Sequence, residues 1–176
     1  NPWLLPLVKL AIETAMRRGE LLSLTWENVD LKRQTAHLPD TKNGDPRTVP
    51  LSTRAVAILQ ALPLPEVDEE DRDIEEPQRS GPVFPTTALA LRKGFARAIE
   101  RAQEQYRADC KQAKRRPAAG FLEDVHFHDT RHEAASRLAE KLTNVLELSA
   151  VTGHKDLRML KRYYHPRAED LAKKLG

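Results

Sequence analysis

Apolar residues open the chain at helical spacing. Leu5, Val8, Ala11, Ile12 and Ala15 recur every three or four positions, which predicts an amphipathic helix. Pro2 and Pro6 suit its start, where the early N–H groups lack partners anyway. Leu21, Leu22 and Leu24 continue the pattern after Gly19, so residues 1–24 read as two helices. The period then changes. Gln34–Leu38 and Arg47–Pro50 read as short strands, and the Asn43-Gly44-Asp45-Pro46 stretch between them is a strong turn signal. A β-hairpin with Lys42 close to its tip follows from that pattern. Ser52 is a good N-cap for a helix through about Ala61, with Val56, Ile58 and Leu59 available for burial. Residues 62–82 are rich in proline and acid and predict a flexible loop. A short strand at Val83-Phe84 comes next, and Thr86 or Thr87 then caps a long helix to about Cys110. Lys111–Asp124 reads as a second loop, and Phe127–Gly176 as helices broken near Leu142, Gly153 and Pro166. Helices, a small sheet, then helices again predict a mixed α+β fold, mainly α-helical.

Composition narrows this picture. A length of 176 residues suits one substantial domain. The chain does not begin with Met, so a fragment of a longer protein is expected. No apolar run approaches the ~20 residues of a membrane span, and no secretory signal is visible. One cysteine, Cys110, excludes an internal disulfide and reads as a passive thiol in a reducing compartment. The formal net charge is +3, but Glu66–Glu76 holds eight acidic side chains and one basic one. The remainder carries 28 Lys and Arg against 18 Asp and Glu, or +10. A basic body points toward a polyanion such as nucleic acid, although an ordinary solvated surface gives the same count.

The candidate chemistry lies between His126 and His165. His128 and Arg131 are three apart, which on a helix places imidazole and guanidinium on one face. His154, Tyr163 and Tyr164 follow. Four readings of the histidines compete. His126, His128 and His132 lack zinc spacing, and the lone cysteine is distant. His132-Glu133 begins like HExxH, but Ser136 stands where the second histidine is required. No GxSxG marks a serine nucleophile. Taken singly, each histidine reads as a surface or capping residue. One arginine, two histidines and a tyrosine together suit a phosphate, if distant segments contribute.

Five segments occur in order: Arg17-Arg18-Gly19-Glu20-Leu21-Leu22, the hairpin Lys42, His128-Asp129-Thr130-Arg131-His132, Gly153-His154-Lys155-Asp156-Leu157 and Arg162-Tyr163-Tyr164-His165. Together they resemble the catalytic domain of the tyrosine recombinases, the phage-integrase family, over nearly the whole chain. The resemblance implies that family's catalytic fold over residues 1–176, with the acidic loop at 63–82 inside it and an N-terminal DNA-clamping (core-binding) domain absent from this chain. It implies a site-specific recombinase that cleaves and rejoins DNA through a 3′-phosphotyrosyl link, with no metal, cofactor or ATP. Arg17 and Arg131 match the two arginines, whose planar forks suit two phosphate oxygens and the extra charge of a phosphorane. Lys42 matches the general acid that protonates the departing 5′ oxygen. His128 matches an acid–base group near the tyrosine hydroxyl, and His154 a donor to a non-bridging oxygen. Glu20 matches an acidic position that holds Arg17.

The resemblance also implies the nucleophile, Tyr163, nine residues after His154. On one straight helix those two residues would sit on opposite faces, ~13 Å apart. The chain must therefore turn between them, just after Gly153, and Tyr164 must face elsewhere. Double-stranded DNA is the expected partner, with Lys114, Arg115, Arg116, Lys155 and Arg162 as candidate phosphate contacts. A homotetramer on DNA, docked through the C-terminal helix over residues 167–175, is the expected assembly. No membrane role is expected; the location is cytoplasmic and nucleoid-associated, in a prokaryotic or phage-derived system. A type IB topoisomerase shares the chemistry, and a catalytically silent DNA-binding module or a helical interaction domain are rival classes. Convergence of the six residues in one cleft is what separates them.

Overall fold

The computed structural model describes residues 1–40, 45–63, 79–164 and 168–176. Helix α1, Leu4–Thr14, buries Leu7, Leu10, Ala11 and Thr14. This stripe is rotated from the expected one: Leu5 is 61% exposed. Leucines at 4, 5, 7 and 10 give the segment more than one candidate apolar face, and packing against later helices selects between them. The helix ends at Ala15, which is left-handed (φ 53) and sends its N–H back to Ala11. The break between the first two helices is therefore Ala15, not Gly19. Helix α2, Arg18–Leu22, starts just beyond it.

A 3₁₀ turn at Trp26–Asn28 leads into a three-stranded antiparallel sheet in the order β1-β2-β3. The strands are β1 (Val29–Asp30), β2 (Thr35–Leu38) and β3 (Arg47–Pro50). The expected hairpin is present, with Ala36 opposite Val49 and Leu38 opposite Arg47. Strand β1 escaped notice because two residues are too few to show alternation. Gln34 falls outside β2, in the turn before it, with φ 57. Alternation holds in the sheet: Ala36, Leu38 and Val49 are buried while His37 and Thr48 point outward. The hairpin tip with Lys42, at residues 41–44, lies outside the described residues.

Helix α3, Thr53–Gln60, is capped as expected: the Ser52 hydroxyl accepts the Ala55 N–H at 3.1 Å. Most of the acidic loop, residues 64–78, lies outside the described residues. The chain returns at Arg79, which donates to the carbonyls of Leu59, Gln60 and Leu62 at the end of α3. The same guanidinium lies 4.5 Å over the Trp26 ring. The expected strand at Val83-Phe84 is absent. These two residues are buried, but only Val83 bonds to a neighbouring backbone, at Leu24, and Thr86 turns back at once to Phe84. Pairing is limited to one antiparallel bridge, Pro82 with Thr25, and the two apolar residues after it mark burial. Phe84 instead meets Trp3 edge-on at 6.3 Å.

Helix α4, Ala88–Gln112, is capped by Thr87, whose hydroxyl accepts the Ala90 N–H. Its first half packs on α1 and α2. Its distal half carries the second loop: Tyr106 stacks on Phe121 at 3.8 Å, and Arg115 lies over the Tyr106 ring. Helices α5 (Asp129–Lys141) and α6 (Val145–Thr152) follow, then a 3₁₀ segment at Leu157–Tyr163 and helix α7 (Ala168–Leu175). The breaks fall at Leu142 and Gly153 as the sequence predicts; Pro166 lies outside the described residues. Among the described residues, no helix is long and apolar enough to cross a membrane.

Burial divides into two clusters. The larger gathers α1–α3, β2, β3, Phe84, Leu91 and Phe127. The smaller consists of Ala139, Leu148 and Leu160, with Tyr163 packed against it. Helix α5 touches α1 on one side and α6 on the other, so it joins the two.

Candidate active site

The larger cluster supplies one wall of the site. Arg17 is extended where the chain leaves α1, and Glu20, three residues into the next helix, accepts its N–H at 2.7 Å and its guanidinium at 2.9 Å. Arg47 of β3 donates to the same carboxylate from Nη1 and Nη2, at 2.8 and 3.0 Å. The Glu20 side chain is 4% exposed. Burial by itself would raise its pKa, but hydrogen bonds from Arg47 and Arg17 and the charge of Arg47 bring it down to about 2. Glu20 thus holds Arg17, as expected, and holds Arg47 as well, which the sequence reading did not single out.

Arg131, in the first turn of α5, is 5% exposed. It donates to the carbonyls of Ala15 and Thr152, the latter at 2.6 Å. The break at Ala15 thus supplies a carbonyl to the site. Burial, then the charge of Arg17, lower Arg131 to about 10, which leaves it cationic at neutral pH. His154 follows Gly153, the left-handed residue that ends α6 (φ 68). A Cβ at 153 would lie 2.9 Å from the Arg47 guanidinium, and Arg17 donates to the Gly153 carbonyl at 3.1 Å. Only glycine meets both the backbone angle and that close approach. Burial, then the charges of Arg131, Arg17 and Arg47, lower His154 to about 4.

Tyr163 enters from the smaller cluster. The turn expected after Gly153 is there: Asp156 caps the 3₁₀ segment that carries the tyrosine. Tyr163 and His154 consequently line one cavity of about 470 Å³ together with Arg17, His128, Arg131 and His132. Tyr164 faces elsewhere, its hydroxyl donating to the Thr143 carbonyl. One expectation is corrected. The ring against the Tyr163 hydroxyl is His132, through Nδ1, and not His128. His128 sits before the first turn of α5 with its ring edge-on to His132 at 5.0 Å. Burial, then His132 and Arg131, lower its pKa. His132 is one turn deeper along α5, nearer the tyrosine segment. The signal that would have found it is its i+4 spacing from His128, which places both rings on one helix face.

Lys155 and Arg162 also line the cavity, and Lys155 pairs with Asp45 at 2.6 Å. Lys114, Arg115 and Arg116 do not line it; they belong to the loop folded against the distal half of α4. Lys42 lies outside the described residues. Among the described residues, no three His, Cys, Asp or Glu side chains are grouped as metal ligands. The assembled set is therefore three guanidiniums, from Arg17, Arg131 and Arg162, with the Lys155 ammonium, three imidazoles and the Tyr163 phenol around one space, a donor array matched to a tetrahedral oxyanion.

Comparison with known proteins agrees with this chemistry. The chain matches the phage integrase family over residues 3–170 and belongs to it. It is 43% identical to a shufflon-specific DNA recombinase of Escherichia coli, over 99% of this chain and 38% of that protein. It is 36% identical to a putative integrase/recombinase of Haemophilus influenzae, over 94% of this chain and 44% of that protein. The chain thus spans less than half the length of these relatives. Among solved structures, the Tn1549 transposon integrase in complex with circular intermediate DNA superposes with a TM-score of 0.65 at 17% identity, covering 97% of this chain and 58% of that one. The catalytic domain of bacteriophage HP1 integrase gives 0.58 at 24% identity, covering 100% and 83%. The mostly helical architecture with its small antiparallel sheet is thus the tyrosine-recombinase catalytic fold.

Proposed function

We propose that this chain is the catalytic domain of a site-specific DNA recombinase. The observation that carries the reading is the convergence of Arg17, Arg131, His154 and Tyr163, from four separate segments, on one cavity. In this reading the cavity receives a DNA phosphodiester. Arg17 and Arg131 bind its non-bridging oxygens, and their charge stabilises the phosphorane. His132 takes the proton of Tyr163 as the phenolic oxygen attacks phosphorus. The P–O bond to the 5′ carbon breaks, Lys42 protonates the departing oxygen, and a 3′-phosphotyrosyl link remains. Attack by another 5′ hydroxyl reverses the steps and joins a new strand without ATP.

His128 stands beside His132 and tunes it, and Lys155 and Arg162 contact phosphates near the cleavage point. Lys114, Arg115 and Arg116, which do not line the cavity, contact DNA on a separate tract. Strand exchange takes place in a tetramer, with α7 docked on a neighbouring copy; the 87% exposure of Leu175 supports an uncovered apolar edge on that helix. DNA contact beyond this domain comes from an N-terminal clamping domain, in a cytoplasmic, nucleoid-associated setting. A nicked suicide duplex carrying the recombination site tests the reading with the full-length protein. Wild type and Tyr164→Phe form a covalent, protease-sensitive adduct, and Tyr163→Phe forms none. Absence of any wild-type adduct, or an adduct that depends on Tyr164 instead, overturns it.

A further inference from the structure

Two contacts on opposite sides of the His154 ring fix where its proton sits. The Thr152 hydroxyl lies 2.7 Å from the Leu148 carbonyl, which can only accept, so the hydroxyl proton goes there. The same oxygen lies 2.7 Å from His154 Nδ1. Having donated its proton, it can only accept from the ring, so Nδ1 carries a hydrogen. Thr152 is fully buried, and no water competes for its oxygen. On the other side, His154 Nε2 faces Arg131 Nη2 at 3.5 Å. A guanidinium only donates, so Nε2 is bare. Both contacts specify the same neutral tautomer.

That tautomer is the wrong one for giving a hydrogen bond to a phosphate. Nδ1 is turned to buried Thr152, and the bare Nε2 lies on the side of Arg131, which lines the cavity with His154. We propose that Thr152 is a positioning residue that locks His154 as the Nδ1–H tautomer, so that His154 donates to a bound phosphate oxygen only after taking up a second proton. Phosphate binding then draws one proton from solvent onto Nε2, and product release returns it. The inference rests on the phosphodiester reading of the cavity given above.

The charges around the ring account for the direction of the change. Arg131 and His132 face it from α5, Arg17 from the turn before α2 and Arg47 from β3. Lys155 and Asp156, on its own segment, line the same cavity. Among the described residues the buried carboxylate nearby, Glu20, is engaged by Arg17 and Arg47. Burial, and then the cations that dominate the cavity wall, keep the imidazole neutral, with its pKa lowered to about 4. A phosphate anion supplies the opposite charge at the point the cations surround and takes Arg131 away from Nε2. Both effects favour imidazolium. A histidine with a free choice of tautomer would need no such uptake.

Nitrogen-15 NMR of histidine-labelled protein at pH 6 tests this, with inorganic sulfate as the probe because it does not itself titrate there. In the free protein His154 shows a protonated Nδ1 and a bare Nε2. Thr152→Val removes the acceptor at similar volume and moves the hydrogen to Nε2, whereas Thr152→Ser keeps it on Nδ1. Saturating sulfate converts the wild-type and Thr152→Ser rings to imidazolium, with one proton taken up, read from the buffer dependence of the binding enthalpy. In Thr152→Val the ring donates from Nε2 while neutral, and uptake falls toward zero. Nε2–H in the free wild type, or equal uptake in wild type and Thr152→Val, overturns the inference. Sulfate that leaves the Arg131 and His154 resonances unmoved overturns the phosphate reading instead, and the tautomer in the free protein is still measured.

Discussion

A carboxylate that is 4% exposed and accepts from two guanidiniums cannot be neutralised without cost. Glu20→Gln keeps the shape and leaves Arg17 and Arg47 facing a neutral amide. Breaking a buried pair from one side costs roughly 3–5 kcal/mol, and that is the loss expected in urea unfolding at pH 7. Acid should act on wild type in two windows. His154 has a folded pKa near 4, below its ordinary 6.5, so the stability it contributes is complete above 6.5 and falls as pH drops toward 4. Glu20 has a folded pKa near 2, below its ordinary 4.5, so its contribution is complete above 4.5 and is lost as pH falls toward 2. Stability measured against pH in Glu20→Gln should keep the first window and show a smaller second one, where the carboxylates of Glu27 and Asp156, also held below their ordinary values, still titrate; an unchanged lower window would show that Glu20 does not contribute there. The Arg17–Glu20 partnership was legible because the family that the chain resembles carries an acidic residue at this position, three positions after the arginine. Arg47 was not, because its partner is 27 positions away. Alternation did hold a clue: Arg47 lies two residues before buried Val49 and opposite buried Leu38, and so on an inward-facing side of the sheet. A charged residue on that side needs a buried partner.

Elements were legible wherever they carried their own local rule. The Ser52 and Thr87 caps, the two-strand hairpin and the break at Gly153 each follow from a few neighbouring residues. The turn before Tyr163 followed from helix geometry, since nine residues cannot bring His154 and Tyr163 to one face. What packing decides was not legible: which stripe of α1 faces inward, and that pairing beside Val83-Phe84 stops at a single bridge. Arg79 belongs to this second kind. It sits at the far end of the acidic loop, yet it closes three carbonyls at the end of α3 and covers Trp26. Hydrogen bonds from a charged donor each contribute on the order of 1.5–3 kcal/mol when shielded and less when wet. Arg79→Ala should therefore lower the urea midpoint by an amount equivalent to about 1–2 kcal/mol, with the slope unchanged. A midpoint equal to wild type would mean that water serves those carbonyls equally well.

At the scale of the whole molecule, the order of elements was enough to predict a helical fold with a small sheet, and the ordered motifs were enough to single out Arg17, Arg131, His154 and Tyr163, which line one cavity, but not His132 or Arg47. The division of the interior was not visible, because both clusters draw on leucines and alanines that look alike in sequence. That division has a consequence for how the molecule fails. Arg17, Glu20 and Arg47 are anchored on the larger cluster, while Tyr163 rests on the smaller one, built on Ala139, Leu148 and Leu160. Cooperative units with little buried apolar surface open at lower free energy than the main core. Amide hydrogens of Leu148 and Leu160 should exchange faster than those of Leu10 and Ala11, and covalent-adduct formation should decline on warming before the circular dichroism of the helices does. Exchange at one common rate would mean that the two clusters open together. With the smaller cluster opening first, moderate heat leaves a protein that looks folded by spectroscopy, keeps the arginine wall of its cleft, and has let go of Tyr163.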